Sequence, residues 1–238
     1  MKKVLVGMSG GVDSSVAAKM LIDEGYDVTG VTLKLFDDNK EDPIGMRTCC
    51  SLSDVEDARS VCIKLGIEHL VFNFKDLFNE YVIKNFTDTY IRGATPNPCI
   101  ECNRKIKFEK MLERAELLGF DYIATGHYAV IENGMLKKAI DATKDQTYVL
   151  YMLTKYQLQK TLFPLGKYPK TEIRRIAEEN GFINAKKPDS QDICFVPDGD
   201  YANFITNETG HTFPDGNFID LNGKILGKSK NHINYTVG

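Results

Sequence analysis

Val4–Leu21 begins as an apolar strand pattern, breaks into Ser9-Gly10-Gly11-Val12-Asp13-Ser14-Ser15 and then turns helical. A tight turn needs one glycine. Two glycines, three hydroxyls and a carboxylate in one gap describe a binding loop. Glycines let backbone amides converge without Cβ obstruction. The helix that follows presents unpaired N–H groups and the positive end of its dipole. Ser9, Ser14 and Ser15 add hydroxyl donors, and the sum is a cradle for a phosphate-sized anion. The loop lacks the Gly-Lys-Ser/Thr of a Walker sequence and is not Gly-x-Gly-x-x-Gly. Asp13 would repel a bare phosphate, so a Mg²⁺ ion between them is expected.

A second group of reactive residues is sulfur. Cys99 and Cys102 lie in Ala94-Thr95-Pro96-Asn97-Pro98-Cys99-Ile100-Glu101-Cys102-Asn103, stiffened by two prolines, and Cys194 lies far away in Asp192-Ile193-Cys194-Phe195. With Asn103 read as the cap of a basic helix over Arg104–Leu118, both thiols precede a helix N-terminus beside Arg104 and Lys105. That setting favours thiolate, suited to a nucleophile or a metal ligand. The Cys-x-x-Cys pair alone fits zinc, redox chemistry or coincidence, although zinc would want two more ligands at similar spacing. Cys62 falls on an apolar helix stripe and reads as core, while the adjacent pair Cys49 and Cys50 stays unassigned.

These residues need a frame. Lys3–Met8, Val28–Leu35, His69–Asn73 and Tyr122–Thr125 read as strands. Helical patterns alternate with them over Ser14–Glu24, from a capping box at Ser53–Glu56 to Leu65, over Leu77–Tyr90 and over Asn103–Leu118. Strand–helix alternation predicts a parallel sheet with helices on both faces, and ligands in such sheets sit at the carboxyl ends of the strands, where Ser9–Ser15 falls. Later, Asn133-Gly134 and Asn222-Gly223 signal hairpins, Thr171 is expected to cap a helix to Asn180, and Tyr201–Thr209 reads as a short helix. Tyr235–Gly238 reads as a strand that has been cut off.

With 42% hydrophobic residues the chain can bury a full core, and no apolar run approaches the roughly 20 residues of a membrane span. Met1-Lys2-Lys3-Val4 runs straight into a strand without a signal peptide, so the expected compartment is the cytoplasm, where six cysteines are not a disulfide framework. The net charge of −3 is unevenly spread: residues 95–190 carry 16 basic and 12 acidic side chains, whereas both flanks are acidic. A polyanionic partner would meet that middle stretch.

Ser9-Gly10-Gly11-Val12-Asp13-Ser14 resembles the pyrophosphate loop of the N-type ATP pyrophosphatases (PP-loop), which split ATP between the α and β phosphates. Four further stretches narrow the resemblance to the tRNA-specific 2-thiouridylases. They are Thr95-Pro96-Asn97-Pro98 with Cys102-Asn103 and Ile106-Lys107-Phe108; Ala124-Thr125-Gly126-His127-Tyr128; Lys144-Asp145-Gln146; and Asp189-Ser190-Gln191-Asp192-Ile193-Cys194-Phe195. The resemblance implies an adenine nucleotide alpha hydrolase-like α/β domain over residues 1–200, the start of a small β-rich domain over 201–238, and ATP with Mg²⁺ as cofactors. It implies 2-thiolation of the wobble uridine of tRNA, with a sulfur donor protein or sulfide as second partner. ATP would be contacted by Gly7, Met8, Ser9, Gly10, Gly11, Val12, Asp13 and Ser14, and by Leu33 and Gly126; Asn97, Pro98 and Cys99 would face the target base, and Lys144, Asp145 and Gln146 would touch tRNA. Cys194 would carry a persulfide, Cys102 would open it and end in a disulfide with Cys194, and one of the two cysteine-bearing loops is expected to move.

Two departures from the family matter. Many relatives carry Asp where this chain has Cys99, so Cys99, Cys102 and Cys194 form a three-thiol set that could hold a [4Fe–4S] cluster as an alternative sulfur carrier. The family also continues for roughly a hundred residues as a β-barrel, by its usual domain size. The chain is therefore expected to be truncated at Gly238 and to lack that barrel, which leaves a catalytically silent nucleotide- or tRNA-binding fragment as the competing reading.

Overall fold

The computed structural model describes residues 1–36, 52–189 and 193–236 of the chain. Cys49 and Cys50, the Ser190-Gln191-Asp192 stretch and the last two residues lie outside the described residues. Strands β1 (Lys3–Gly7), β2 (Asp27–Lys34), β3 (His69–Asn73), β4 (Tyr122–Ala124) and β7 (Thr161–Leu162) form one sheet in the order β3-β2-β1-β4-β7. Every pairing in it is parallel. β5 (Ala129–Glu132) and β6 (Met135–Lys138) form the first expected hairpin, whose turn places Asn133 at φ 53° and Gly134 at φ 72°. β8 (Gly216–Ile219) and β9 (Ile225–Ser229) form the second.

Alternation along β1 divides the core. Val4 and Val6 face Val16, Ala17 and Leu21 of α1 (Val12–Asp23), Ala58 and Cys62 of α2 (Leu52–Leu65), and Ile173 and Ala177 of a later helix, α6 (Lys170–Glu179). Leu5 faces the other way, with Val31 and Leu33, onto α3 and α4. α3 runs without a break through Lys75–Phe78, Asn79–Ile83 and Lys84–Ile91, and α4 through Pro98–Glu101, Cys102–Lys110 and Met111–Leu117. Helices therefore cover both faces, as the alternating pattern predicts. Each fully buried Phe or Leu on these faces stabilises the fold by about 1.5–3 kcal/mol. Cys62 is a core residue as expected, and burial pushes its thiol up to about 11.

Several boundaries differ from the sequence reading, each for a local reason. α1 starts at Val12 rather than Ser14, so Asp13 belongs to its first turn rather than preceding it. α2 begins at Leu52, which puts Ser53 inside the helix and not at its cap. α6 is entered from Pro169, not Thr171, because the extended backbone of Pro169 leads directly into Lys170. α5 (Lys155–Gln159) and β7 went unread, although Thr154 and Gln157 form a complete capping box. Tyr235 is extended but unpaired, preceded by a single 3-10 turn over His232–Asn234. α7 (Tyr201–Thr209) is capped by Asp200 and stopped by left-handed Gly210. Its Ile205 packs with Ile233 against Phe86 and Tyr90 of α3, seating the residues beyond 200 on the sheet domain.

Candidate functional site

The strand order reverses between β1 and β4, and that switch point is where an open parallel sheet leaves a crevice. The segments leaving β1 and β4 meet there. Gly10 has φ 71°, and a Cβ on it would sit 2.5 Å from the Asp54 carbonyl oxygen. A Cβ on Gly126 would lie 2.8 Å from the Ser14 nitrogen, so the β4 loop rests on the first turn of α1. Gly10→Ala is expected to destabilise the protein by about 2–5 kcal/mol, from the left-handed backbone and the overpacking together. Thermal unfolding with and without ATP checks this, because the same substitution should weaken nucleotide binding.

The amides of the first turn of α1 have no partner within the helix. The serines divide their work. Ser9 is exposed, and its N–H donates to Ser14 Oγ at 3.2 Å. Ser14 and Ser15 turn their hydroxyls back to the Gly11 carbonyl at 3.1 and 3.0 Å. Ser15 is fully buried and also accepts from Asn184 Nδ2 at 2.9 Å. Ser15 therefore braces the loop instead of lining the cradle. Met8 is buried, with its N–H on Val31 and its carbonyl on the Thr32 hydroxyl, and Leu33 lies in the core at the carboxyl edge of β2.

Asp13 has a counter-ion from the chain itself. Lys170 Nζ donates to its two carboxylate oxygens at 2.7 and 2.8 Å, and the Tyr128 hydroxyl donates to Oδ1 at 2.7 Å. The repulsion that called for Mg²⁺ is thus relieved by a lysine whose side chain is only 10% exposed. Lys170 also contacts Asp189 at 2.8 Å, and Asp189 further receives Lys144 and Arg174. Burial works to raise the Asp189 carboxyl, but hydrogen bonds from Lys144 and Lys170 outweigh it and hold it down at about 2. Burial, reinforced by Asp13, pushes the Tyr128 hydroxyl far above its ordinary range, so it stays a proton donor.

Tyr128, Lys170, Arg174 and Asn184 were not read from the sequence as site residues. Lys170 left one signal: a lysine in the first turn of a helix opposes the dipole unless an acid answers it. Asn184 Nδ2 also reaches the Gly10 carbonyl at 3.0 Å, and Lys187 bridges Asp54 and Asp57. The strap over residues 184–189 is thereby fastened across the glycine loop.

Around the cysteines the structure corrects the helix start. Asn97, not Asn103, is the cap: its side chain accepts from the N–H groups of Cys99 and Ile100, and Pro98 takes the first helical position. Asn103 is buried inside α4, where Nδ2 donates to the Val149 carbonyl at 3.3 Å and Oδ1 has no partner. Cys99 is exposed in the first turn of α4, and Cys102 is half-buried one turn on, at the start of a stretch wound in wider i→i+5 turns. Cys102 is therefore held on a helix, not on a loop. Cys102 and Cys194 both pack on the sheet face covered by α3 and α4. Phe195, next to Cys194, is anchored edge-on to Phe78 and Phe86 of α3. Among the described residues no three His, Cys, Asp or Glu side chains stand together as a metal site. Cys99 is exposed, whereas Cys102 and Cys194 are half-buried against the core.

Of the triplet at 144–146, Lys144 pairs with Asp189, Asp145 accepts from the Ala139 N–H and the Thr147 hydroxyl, and the Gln146 side chain accepts from the Tyr128 N–H. Asp145 and Gln146 fix the backbone between β6 and the turn at 147–149. His127 is buried against Phe108 and Phe163, and burial, then the charge of Lys107, holds its ring well below the ordinary histidine range.

The sequence model of a family described as "tRNA methyl transferase HUP domain" matches residues 2–198. The tRNA-specific 2-thiouridylase MnmA of Caldicellulosiruptor saccharolyticus is 54% identical over all of this chain and 67% of its own length. That of Acetivibrio thermocellus is 52% identical over all of this chain and 68% of its own length. The chain thus spans about two thirds of these curated relatives. Among solved structures, a 4-thiouridine synthetase in complex with RNA and ATP matches with a TM-score of 0.55 at 21% identity, covering 82% of this chain and 45% of that one. The NMN synthetase of Francisella tularensis matches at 0.50 and 16% identity, covering 89% of this chain and 78% of that one, and both likenesses concern the fold alone. Among the described residues no helix is long and apolar enough to cross a membrane. Matched over residues 2–198 by the family model and above half identity along its whole length, the chain belongs to the tRNA-specific 2-thiouridylase family.

Proposed function

We propose that the protein replaces the C2 oxygen of the wobble uridine of tRNA with sulfur at the expense of ATP. The observation that carries this reading is the juxtaposition at one sheet of a phosphate cradle, with Lys170 on Asp13, and two thiols packed on the face beside it. A carbonyl oxygen is a poor leaving group, and AMP is a good one. The cradle formed by Gly7–Ser14 and walled by Gly126 holds the triphosphate, Leu33 lies at the adjoining strand edge, and any Mg²⁺ carried by the nucleotide would share Asp13 with Lys170. Attack of the uridine oxygen on the α-phosphorus expels diphosphate and leaves an O-adenylate.

A persulfide on Cys194, formed when its thiolate takes the outer sulfane sulfur from a donor protein's persulfide and leaves that donor as a thiol, then attacks C2 through its terminal sulfur, and AMP departs. The Cys102 thiolate attacks Sγ of Cys194 and breaks the S–S bond. The sulfur stays on the base, and the two cysteines end as a disulfide that an external thiol must reduce. Since Cys102 is fixed in α4, the Cys194 segment makes the approach. We prefer the persulfide route to an iron–sulfur carrier because Cys102 and Cys194 pack on one face while Cys99 is exposed. The target base lies over Asn97, Pro98 and Cys99. Lys144 meets tRNA by charge, while Asp145 and Gln146 contribute through the backbone they hold in place.

The family model's description names methyl transfer, a reaction for which a triphosphate cradle and a thiol pair serve no purpose. Mass spectrometry of the wobble nucleoside separates the readings. With the protein, ATP and a sulfur source, the uridine is expected to gain one sulfur for one oxygen, with AMP formed in step. A methylated nucleoside, ammonia-dependent product or no AMP at all would overturn the assignment.

A further inference from the structure

Two tyrosines that follow Lys144 in the chain stand exposed among the described residues. Tyr148 and Tyr151 are 62% and 70% exposed, whereas Val149 and Leu150 between them are 4% and 0% exposed. The segment is wound in i→i+3 turns, with the Val149 N–H on the Gln146 carbonyl at 3.2 Å and the Leu150 N–H on the Thr147 carbonyl at 3.0 Å. Tyr148 lies within this turn and Tyr151 follows it by two residues. Neither ring has a hydrogen bond, a cation or a ring partner among the described residues.

The backbone beneath them is held from three directions. Gln146 is tied to Tyr128, Asp145 to Ala139 and Thr147, and the Val149 carbonyl to Asn103, the residue after Cys102. The tyrosines thus lie on the stretch that connects Lys144 in the Asp13–Lys170–Asp189 cluster to the helix bearing Cys99 and Cys102. Exposed apolar groups on a rigid turn mark an interaction site. The surrounding sequence chooses the partner: residues 95–190 are the only basic third of the chain. Aromatic faces set among cations suit the unpaired bases of a single-stranded nucleic acid, whose π-faces stack irrespective of sequence.

We propose that Tyr148 and Tyr151 form a stacking platform for unpaired RNA bases that flank the base under modification. The proposal rests on the tRNA reading above and extends it to two residues outside the cysteine and nucleotide sites. The probe is an unmodified anticodon stem–loop RNA, titrated against the protein by fluorescence anisotropy at several salt concentrations. Tyr148→Ala and Tyr151→Ala should each weaken binding by about ten-fold, within the range of one lost stacked base, and Tyr→Phe at either position should restore it to within about two-fold. The salt dependence should keep its slope, since no phosphate contact is removed. ATP affinity should be unchanged, which shows that the variants remain folded. Alanine variants that bind RNA like the unsubstituted protein, or that flatten the salt slope, overturn the platform. So does a loss of binding to a sulfur-donor protein with RNA binding intact, which gives the surface to that donor. No RNA binding by the unsubstituted protein overturns both the platform and the tRNA reading.

Discussion

Cys194→Ser should abolish sulfur incorporation into tRNA, lowering it on the order of 10³-fold or more, while leaving ATP binding intact. Removing a covalent nucleophile costs far more than removing a contact, because the step has no other route. Cys102→Ser should also stop turnover, but at a different point. The persulfide can still reach the base, so the reaction is expected to stall with the base joined to Cys194 through the transferred sulfur. A denaturing gel without reductant would reveal this adduct, and dithiothreitol should release thiolated tRNA from it. Under the persulfide route Cys99→Asp should be tolerated, since Cys99 is exposed at the helix start and neither forms nor breaks a bond in the proposed transfer. Sulfur incorporation at the ordinary rate by Cys194→Ser would falsify the persulfide route and the three-thiol cluster alike, whereas its loss in Cys99→Asp would favour the cluster.

Lys170→Met should have the second largest effect. The substitution keeps the length of the side chain and removes its charge, leaving Asp13 and Asp189 facing each other without their shared cation. Breaking a buried pair by removing one partner costs about 3–5 kcal/mol. Asp13 and Asp189 retain 30% and 26% side-chain exposure, so the lower end of that range is expected in thermal unfolding. ATP affinity should fall by about ten- to hundred-fold, the scale of a charged hydrogen bond, because an uncompensated Asp13 now repels the phosphates. Titration calorimetry on the folded variant checks this, and unchanged affinity would leave Lys170 a purely structural residue.

The variant also carries a pH signature. In the unsubstituted protein Asp189 has a folded value of about 2, below the roughly 3.9 of an unfolded aspartate. Its contribution is present above the unfolded value and is lost as pH falls through the folded one. With Lys170 removed, the folded value moves up towards the unfolded one. The acid limb of the stability curve between about pH 4 and pH 2 should then lose part of its slope.

What could be read from the sequence and what could not follows the range of the interactions. Most of the parallel sheet was legible because β1, β2 and β3 each announce themselves within five to eight residues and their helices within two turns, whereas the two-residue β7 left too short a pattern. His69–Asn73 and Tyr201–Thr209 match their strand and helix to the residue. The cradle was legible for the same reason, since Ser9–Ser14 and the start of α1 are contiguous. The Asn97 cap was missed although Asn-Pro is a helix-start signature, because the later Asn103 beside a basic run looked equally good. The Asp13 network was beyond reach: Tyr128 lies 115 residues away and Lys170 lies 157 away, and no local pattern pairs them. Ser15 shows the same limit in reverse. Its type suggests a ligand donor, but its burial and its bond to Asn184 make it a brace.

The bond from Asn184 to the Gly10 carbonyl spans 174 residues. During synthesis the glycine loop leaves the ribosome well before its brace. At about 5–20 residues per second the loop waits roughly 9–35 s for that brace to be made. For that interval β1 and α1 can be in place while the glycine loop lacks its brace, so a nascent chain gains its full grip on the nucleotide only after residue 184 has emerged.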